Sequence, residues 1–227
     1  TEGPSLAVVV GAVAVAASAF AVGFSLNQLV FRRLRGRAAG ALNAEETARA
    51  QPFAGPGAEV LVTKDEVPRA YCFAMLVRSG GLWPWKAREL LAFTDSLTRA
   101  MDSEMLQAVV AHESAHVRAR DSRHLPVVRA VGALFFFDPL FRRVARRLEV
   151  EREFRADRTA AEETRKPLAL ARALLTALEL AGEAGRARAR APRQRGLGCG
   201  LLSLSEPELA VARIERLIEM DTRLGDA

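Results

Sequence analysis

Hydrophobic and polar positions change their spacing several times along this chain, and each change marks an element. From Leu6 to Phe31 there is no alternation: "LAVVVGAVAVAASAFAVGFSLNQLVF" is apolar throughout and carries no charge. At about 1.5 Å per helical residue, such a run can cross a hydrocarbon layer of about 30 Å, so residues 1–35 are expected to form an N-terminal transmembrane anchor. Ala17-Ser18-Ala19 resembles a signal-peptide cleavage site, but "TEGPS" lacks the positive start such peptides carry. Residues 36–57 are rich in Ala, Gly and Pro and read as a linker, with one short helical piece around Ala44 to Ala50.

The pattern then shortens. Apolar runs at Glu59 to Thr63 and Tyr71 to Val77, separated by charges and Pro68 and closed by Gly80-Gly81, predict a small β-hairpin or sheet whose edge could receive an extended peptide. Leu90, Leu91 and Leu97 give Ala87 to Ala100 helical spacing, and Asp102 or Ser103 is placed to cap the next helix. In that helix Met105, Val109, His112 and His116 fall at i, i+4, i+7 and i+11, one inward-facing stripe. Leu125 to Phe141 is strongly apolar but short, and is interrupted by Pro126, Arg129 and Asp138-Pro139. It reads as an apolar hairpin near 125–141, either interfacial beside the anchor or buried in the core.

Asp138 as cap and Pro139 in the first helical position launch a long helix toward Arg165. Pro167 to Leu180 predicts another helix, stopped at Gly182. After it, "EAGRARARAPRQRGLGCG" reads as a basic loop. Ser205 and Glu208 form a capping-box pair for a last helix through Met220. The expected class is mainly α with a small β element (α+β), and residues 58–227 make one domain.

Composition supports helices, since half the residues are hydrophobic but only 6% are aromatic. The net charge of +6 rests on arginine, the only lysines being Lys64, Lys86 and Lys166. Such a surface suits phosphates of nucleic acid or lipid. Few aromatic residues for base stacking and no recognised binding motif argue against nucleic acid, and the apolar run favours membrane lipid. Arg32, Arg33, Arg35 and Arg37 follow that run, with only Glu2 before it. The positive-inside rule then gives a single-pass protein of the cell inner (cytoplasmic) membrane with its bulk on the cytoplasmic side. Small residues within the span, Gly11 and Gly23 among them, leave room for another transmembrane subunit. Cys72 and Cys199 match no metal or redox spacing and read as reduced thiols.

All three histidines lie in "AVVAHESAHVRARDSRH", Ala108 to His124. His112-Glu113-Ser114-Ala115-His116 fits H-E-x-x-H. Four residues make slightly more than one helical turn, so both imidazoles project side by side toward one ion, which points to zinc. Glu113, offset to one flank, can reach an attacking water without taking a coordination position, as a general base must. A third ligand is needed. His124 stands eight residues beyond His116, too far for the H-E-x-x-H-x-x-G-x-x-H arrangement, and Asp121, five residues beyond, would face elsewhere on a continuing helix. Glu153, on a second helix crossing the first, is the better choice. Asp157, one turn on, could accept the free ring N–H of a ligand histidine.

The order H-E-x-x-H, apolar hairpin, E-x-x-x-D resembles membrane-associated gluzincin peptidases: the CAAX-prenyl-protease and HtpX-like group and the antirepressor proteases of beta-lactam sensors. "LQAVVAHESAHVRARD", with Asp121 at the place of a frequent acidic residue, "FFFDPLF" and the terminal "EPELAVARIERL" extend the likeness over roughly Glu59 to Leu217. The resemblance implies a zinc endopeptidase acting on protein or peptide substrates, with His112, His116 and Glu153 as metal ligands, Glu113 as base and Asp157 behind a ligand histidine. One predicted span instead of several departs from the group and leaves a second class open, a non-catalytic membrane subunit built on the same frame. Arg152, Arg155 and His124 are all open as stabilisers of the developing oxyanion.

Overall fold

The computed structural model describes residues 43–55, 58–65, 68–78, 85–121, 138–187 and 207–225, plus isolated positions between 11 and 21 and between 128 and 135. The chain is mostly helical around a small three-stranded sheet. Helix α1 (Ala44–Ala50) runs into a short 3-10 turn and strand β1 (Glu59–Thr63). Then come β2 (Ala70–Arg78), β3 (Trp85–Thr94), the short α2 (Asp95–Arg99), α3 (Ser103–Arg118), α4 (Pro139–Thr164), α5 (Pro167–Ala187) and α6 (Pro207–Gly225). Most of the expected anchor and most of the 125–141 hairpin lie outside the described residues. Among the described residues no helix is long and apolar enough to cross a membrane.

The expected small sheet is present, as a sheet and not as a hairpin of the two expected strands, and it takes in a segment expected to be helical. Strand order is β1-β3-β2, with β3 parallel to β1 and antiparallel to β2, so β1 does not form a hairpin with its sequence neighbour. Most of the helix expected over Ala87 to Ala100 is β3, and only Asp95–Arg99 is helical. As the middle strand, β3 is covered on both faces, and Leu90, Leu91 and Phe93 are all buried. A strand buried on both faces loses its polar alternation, and a dense apolar run can then pass for helical spacing. At the edge, β1 keeps the alternation, with Val60 and Val62 inward.

The sheet supports α3, the centre of the domain. Every residue from Ala108 to Val117 is buried. Helices α4 and α5 cover its other sides, and Leu106, Val109 and Val110 share a core with Val62, Leu91, Phe93, Leu170, Leu174 and Leu217. Ala50, within the 36–57 stretch, belongs to the same core. Local chemistry sets the helix starts: Asp102 accepts the Met105 N–H at 2.8 Å, and Asp138 accepts that of Leu140 at 2.8 Å ahead of Pro139. Helix α4 ends on Arg165 at φ 55°, a left-handed residue whose N–H returns to the Ala161 carbonyl. Helix α5 continues past the expected stop at Gly182, a position with open space around it. Helix α6 outlasts Met220, and Ser205 of its expected capping box lies outside the described residues.

Two substitutions separate capping from packing. Asp102→Ala is expected to lower stability by about 1 kcal/mol, the usual value of a helix cap. Leu106→Ala, which opens a cavity at a site of zero exposure, should cost about 2–5 kcal/mol. Chemical denaturation checks both, and equal losses would contradict the central position of α3.

Candidate metal centre

Helix α3 carries His112 and His116 on its α4-facing side, both at zero exposure. Their rings meet edge to face with centroids 4.8 Å apart, and the two Nε2 atoms are 3.2 Å apart. Glu153 of α4 closes the third side: its Oε2 lies 3.6 Å from Nε2 of His112 and its Oε1 3.6 Å from Nε2 of His116. Two ligands bonded at about 2.0–2.1 Å in a tetrahedral arrangement stand about 3.3 Å from each other. The three groups therefore already have the spacing of a coordination shell, and they could hold a metal ion.

The opposite ring edges are also held. Nδ1 of His116 is 2.7 Å from Oδ2 of Asp121. Nδ1 of His112 is 2.9 Å from Oδ1 of Asp157, an oblique approach closer to charge attraction than to a well-aligned hydrogen bond. Fixing Nδ1 leaves Nε2 as the atom offered to an ion. Asp157 thus sits behind His112, as its place one turn after Glu153 suggests. Asp121 is not among the three donors, yet it does not face away from the site. Helix α3 does not continue to it: the helix ends at Arg118, and Arg120 adopts φ 56°, folding the chain back so that Asp121 meets the ring five residues before it.

Three arginines balance these carboxylates. Arg213 of α6, 2% exposed, grips Asp157 through Nε–Oδ2 and Nη2–Oδ1 contacts of 2.7 Å each, while its Nη1 is 3.0 Å from Oε2 of Glu153. The same Nη2 is 3.4 Å from Nε2 of His112. Arg152 and Arg155 both turn to Asp121, at 3.2 Å and 2.9 Å; His124 lies outside the described residues. Sequence reasoning gave Arg213 no role. The signal was present: Ala210, Arg213 and Leu217 lie at i, i+3 and i+7 on the buried face of α6, where an arginine is out of place unless paired.

Burial opposes charge on every one of these groups, and the neighbours overrule it. Desolvation would push both imidazoles down. Asp157 and Glu153 instead hold His112 above its ordinary value, and Asp121 with Glu153 raises His116 to about 10. Burial would raise the carboxyls, yet His116 and Arg152 bring Asp121 down to about 2. Arg213 and the histidines keep Glu153 well below the usual carboxylate range, and Arg213 likewise lowers Asp157. Glu113, fully buried, adds negative charge that acts on His116 and Arg213. The pocket attracts positive charge, and a proton and a metal ion compete for the same two nitrogens.

Residues 41–139 match the sequence model of Peptidase family M48. None of the curated proteins compared matches the chain. The family match covers less than half the chain: it takes in α1 to α3 and both histidines but stops at the first residue of α4, before Glu153, Asp157 and Arg213. It supports a metallopeptidase, and the His112, His116 and Glu153 cluster fits the metal such a peptidase needs.

Two outcomes test the centre. A His116 pKa of about 10 leaves its ring protonated at pH 7, whereas coordination needs it neutral. Zinc uptake should therefore release protons, and affinity should fall as pH falls; calorimetry in buffers of different ionisation heat reads the release, and proton-neutral uptake would contradict the assignment. Asp121→Asn should weaken zinc binding about 10–100-fold, the usual effect of losing a carboxylate behind a ligand histidine, as measured by competition with a chelating dye.

Proposed function

We propose that this chain is a membrane-anchored zinc endopeptidase in which His112, His116 and Glu153 hold the ion and Glu113 is the general base. The observation that carries the reading is the approach of three donors from two helices to separations of 3.2–3.6 Å, with a buried glutamate directly following the first of them in sequence. The M48 match over the histidine half supports the same reaction class. When bound, zinc supplies a Lewis acid that lowers the pKa of a water toward about 7 and polarises the scissile carbonyl.

The remaining work belongs to the chain. Glu113 takes the proton from the attacking water and returns it to the leaving amine. Asp121 and Asp157 keep the Nδ1 edges of the two rings engaged, so neither imidazole can rotate away from the ion. Arg213 neutralises Glu153 and Asp157 and holds both in register on α4. Protein or peptide chains are the substrates of such a centre. The uncharged run from Leu6 to Phe31 and the arginines after it support an anchor in the inner membrane with the catalytic domain on the cytoplasmic side.

Glu113→Gln tests the chemistry apart from the metal site. The variant should keep one zinc per chain while cleavage of an unfolded protein substrate falls by about 10²–10⁴, the usual contribution of a general base. Metal analysis and gel-based cleavage read the two quantities. Undiminished cleavage would remove Glu113 as base, and zinc binding without cleavage in the unsubstituted chain would favour the non-catalytic subunit.

A further inference from the structure

Helix α4 has two unlike halves. Its buried residues are Glu153, Ala156, Asp157, Ala160 and Ala161, and none precedes Glu153. The first twelve residues, 139–150, project for about 18 Å, three turns, without a buried side chain. Leu140, Val144 and Leu148 are 62%, 48% and 46% exposed, among the most exposed large apolar residues described. Arg142, Arg143, Arg146 and Arg147 are exposed beside them, and no acidic residue occurs before Glu149.

The two classes are sorted around the axis. At about 100° per residue, Leu140, Val144 and Leu148 lie within about 80°, and Phe141 with Ala145 widens the apolar arc to about 140°. The four arginines fill most of the opposite arc: Arg147 and Arg143 follow one another beside Leu140, while Arg142 and Arg146 point nearly opposite the stripe. By the same count Glu153 and Asp157 point roughly opposite the stripe, so the domain lies on the basic side of the helix. Phe135 stacks on Phe141 with ring centroids 4.3 Å apart, at the edge of the stripe.

We infer that the N-terminal half of α4 lies in the interface of an anionic lipid bilayer. The leucines and valine enter the acyl boundary, Arg143 and Arg147 beside the stripe reach the headgroups, and the rest of the domain faces away from the lipid. Charge complementarity selects this occupant. A second copy of the same stripe would set Arg143 and Arg147, which flank it, against their counterparts within a Debye length of about 8–10 Å, whereas a surface of anionic phosphates meets those guanidiniums with the opposite charge. The inference deepens the membrane placement proposed above and is independent of hydrolysis.

The test reads this helix alone, so its failure is distinct from failure of the anchor. In the full chain carrying Trp83→Phe and Trp85→Phe, Val144→Trp supplies one indole on the stripe, and Leu148→Trp is a second reporter should the first misfold; unchanged zinc uptake certifies the fold. The protein is mixed with vesicles of phosphatidylglycerol and brominated phosphatidylcholine, or of brominated phosphatidylcholine alone, and flotation is recorded in parallel. The expected result is loss of most indole emission with the anionic vesicles, severalfold less quenching without phosphatidylglycerol, and recovery of emission when Arg142, Arg143, Arg146 and Arg147 are all changed to Glu. Flotation without quenching would overturn the inference and keep the anchor. Quenching indifferent to headgroup charge, or lipid-free burial of the reporter that rises with protein concentration, would overturn it in favour of an uncharged surface or of a second copy.

Discussion

Two imidazoles and a carboxylate on a buried stretch of helix are the constraint around which the rest of the domain is arranged. Taking an ion out of water costs several kcal/mol unless a partner meets it with good geometry. Helix α3 puts His112, Glu113 and His116 at zero exposure, so it requires charged partners from elsewhere in the chain. Helix α4 supplies Glu153 and Asp157, the left-handed turn after α3 supplies Asp121, and α6 supplies Arg213. Each newcomer compensates one charge and introduces another, and the cluster closes only when all are present. This explains how a helix of ordinary sequence can be surrounded by sheet and helices while carrying three ionisable groups in its middle.

Much of this could be read from residue order because its causes are local. Asp102 and Asp138 cap helices where their side chains reach the next free N–H, and Glu153 and Asp157 share a face because four residues make one turn. The alternating β1 was legible for the same reason. What escaped depends on contacts between distant residues. Strand β3 became a strand because β1 and β2 cover both its edges, a fact absent from its own sequence. Asp121 escaped because extrapolating a helix ignores where it ends, and Arg213 because its partner Asp157 lies 56 residues away.

The family match and the geometry divide the centre between them. The matched residues carry the two histidines, and the carboxylates and guanidinium that complete the cluster lie beyond them on α4 and α6. Helix α4 is also the element whose far end has no fully buried residue, so one continuous rod joins the donor Glu153 to the exposed stripe at Leu140. A helix transmits tilt with little bending, and whatever holds the stripe bears mechanically on the position of that carboxylate.

The distance in sequence between Asp157 and Arg213 also has a consequence in time. A chain made from its N-terminus releases both histidines and both α4 carboxylates well before the guanidinium that neutralises those carboxylates. Until α6 is made, Glu153 and Asp157 lack the buried guanidinium that meets them in the folded domain. A chain that stops short of α6 therefore leaves these two carboxylates without their buried counter-ion.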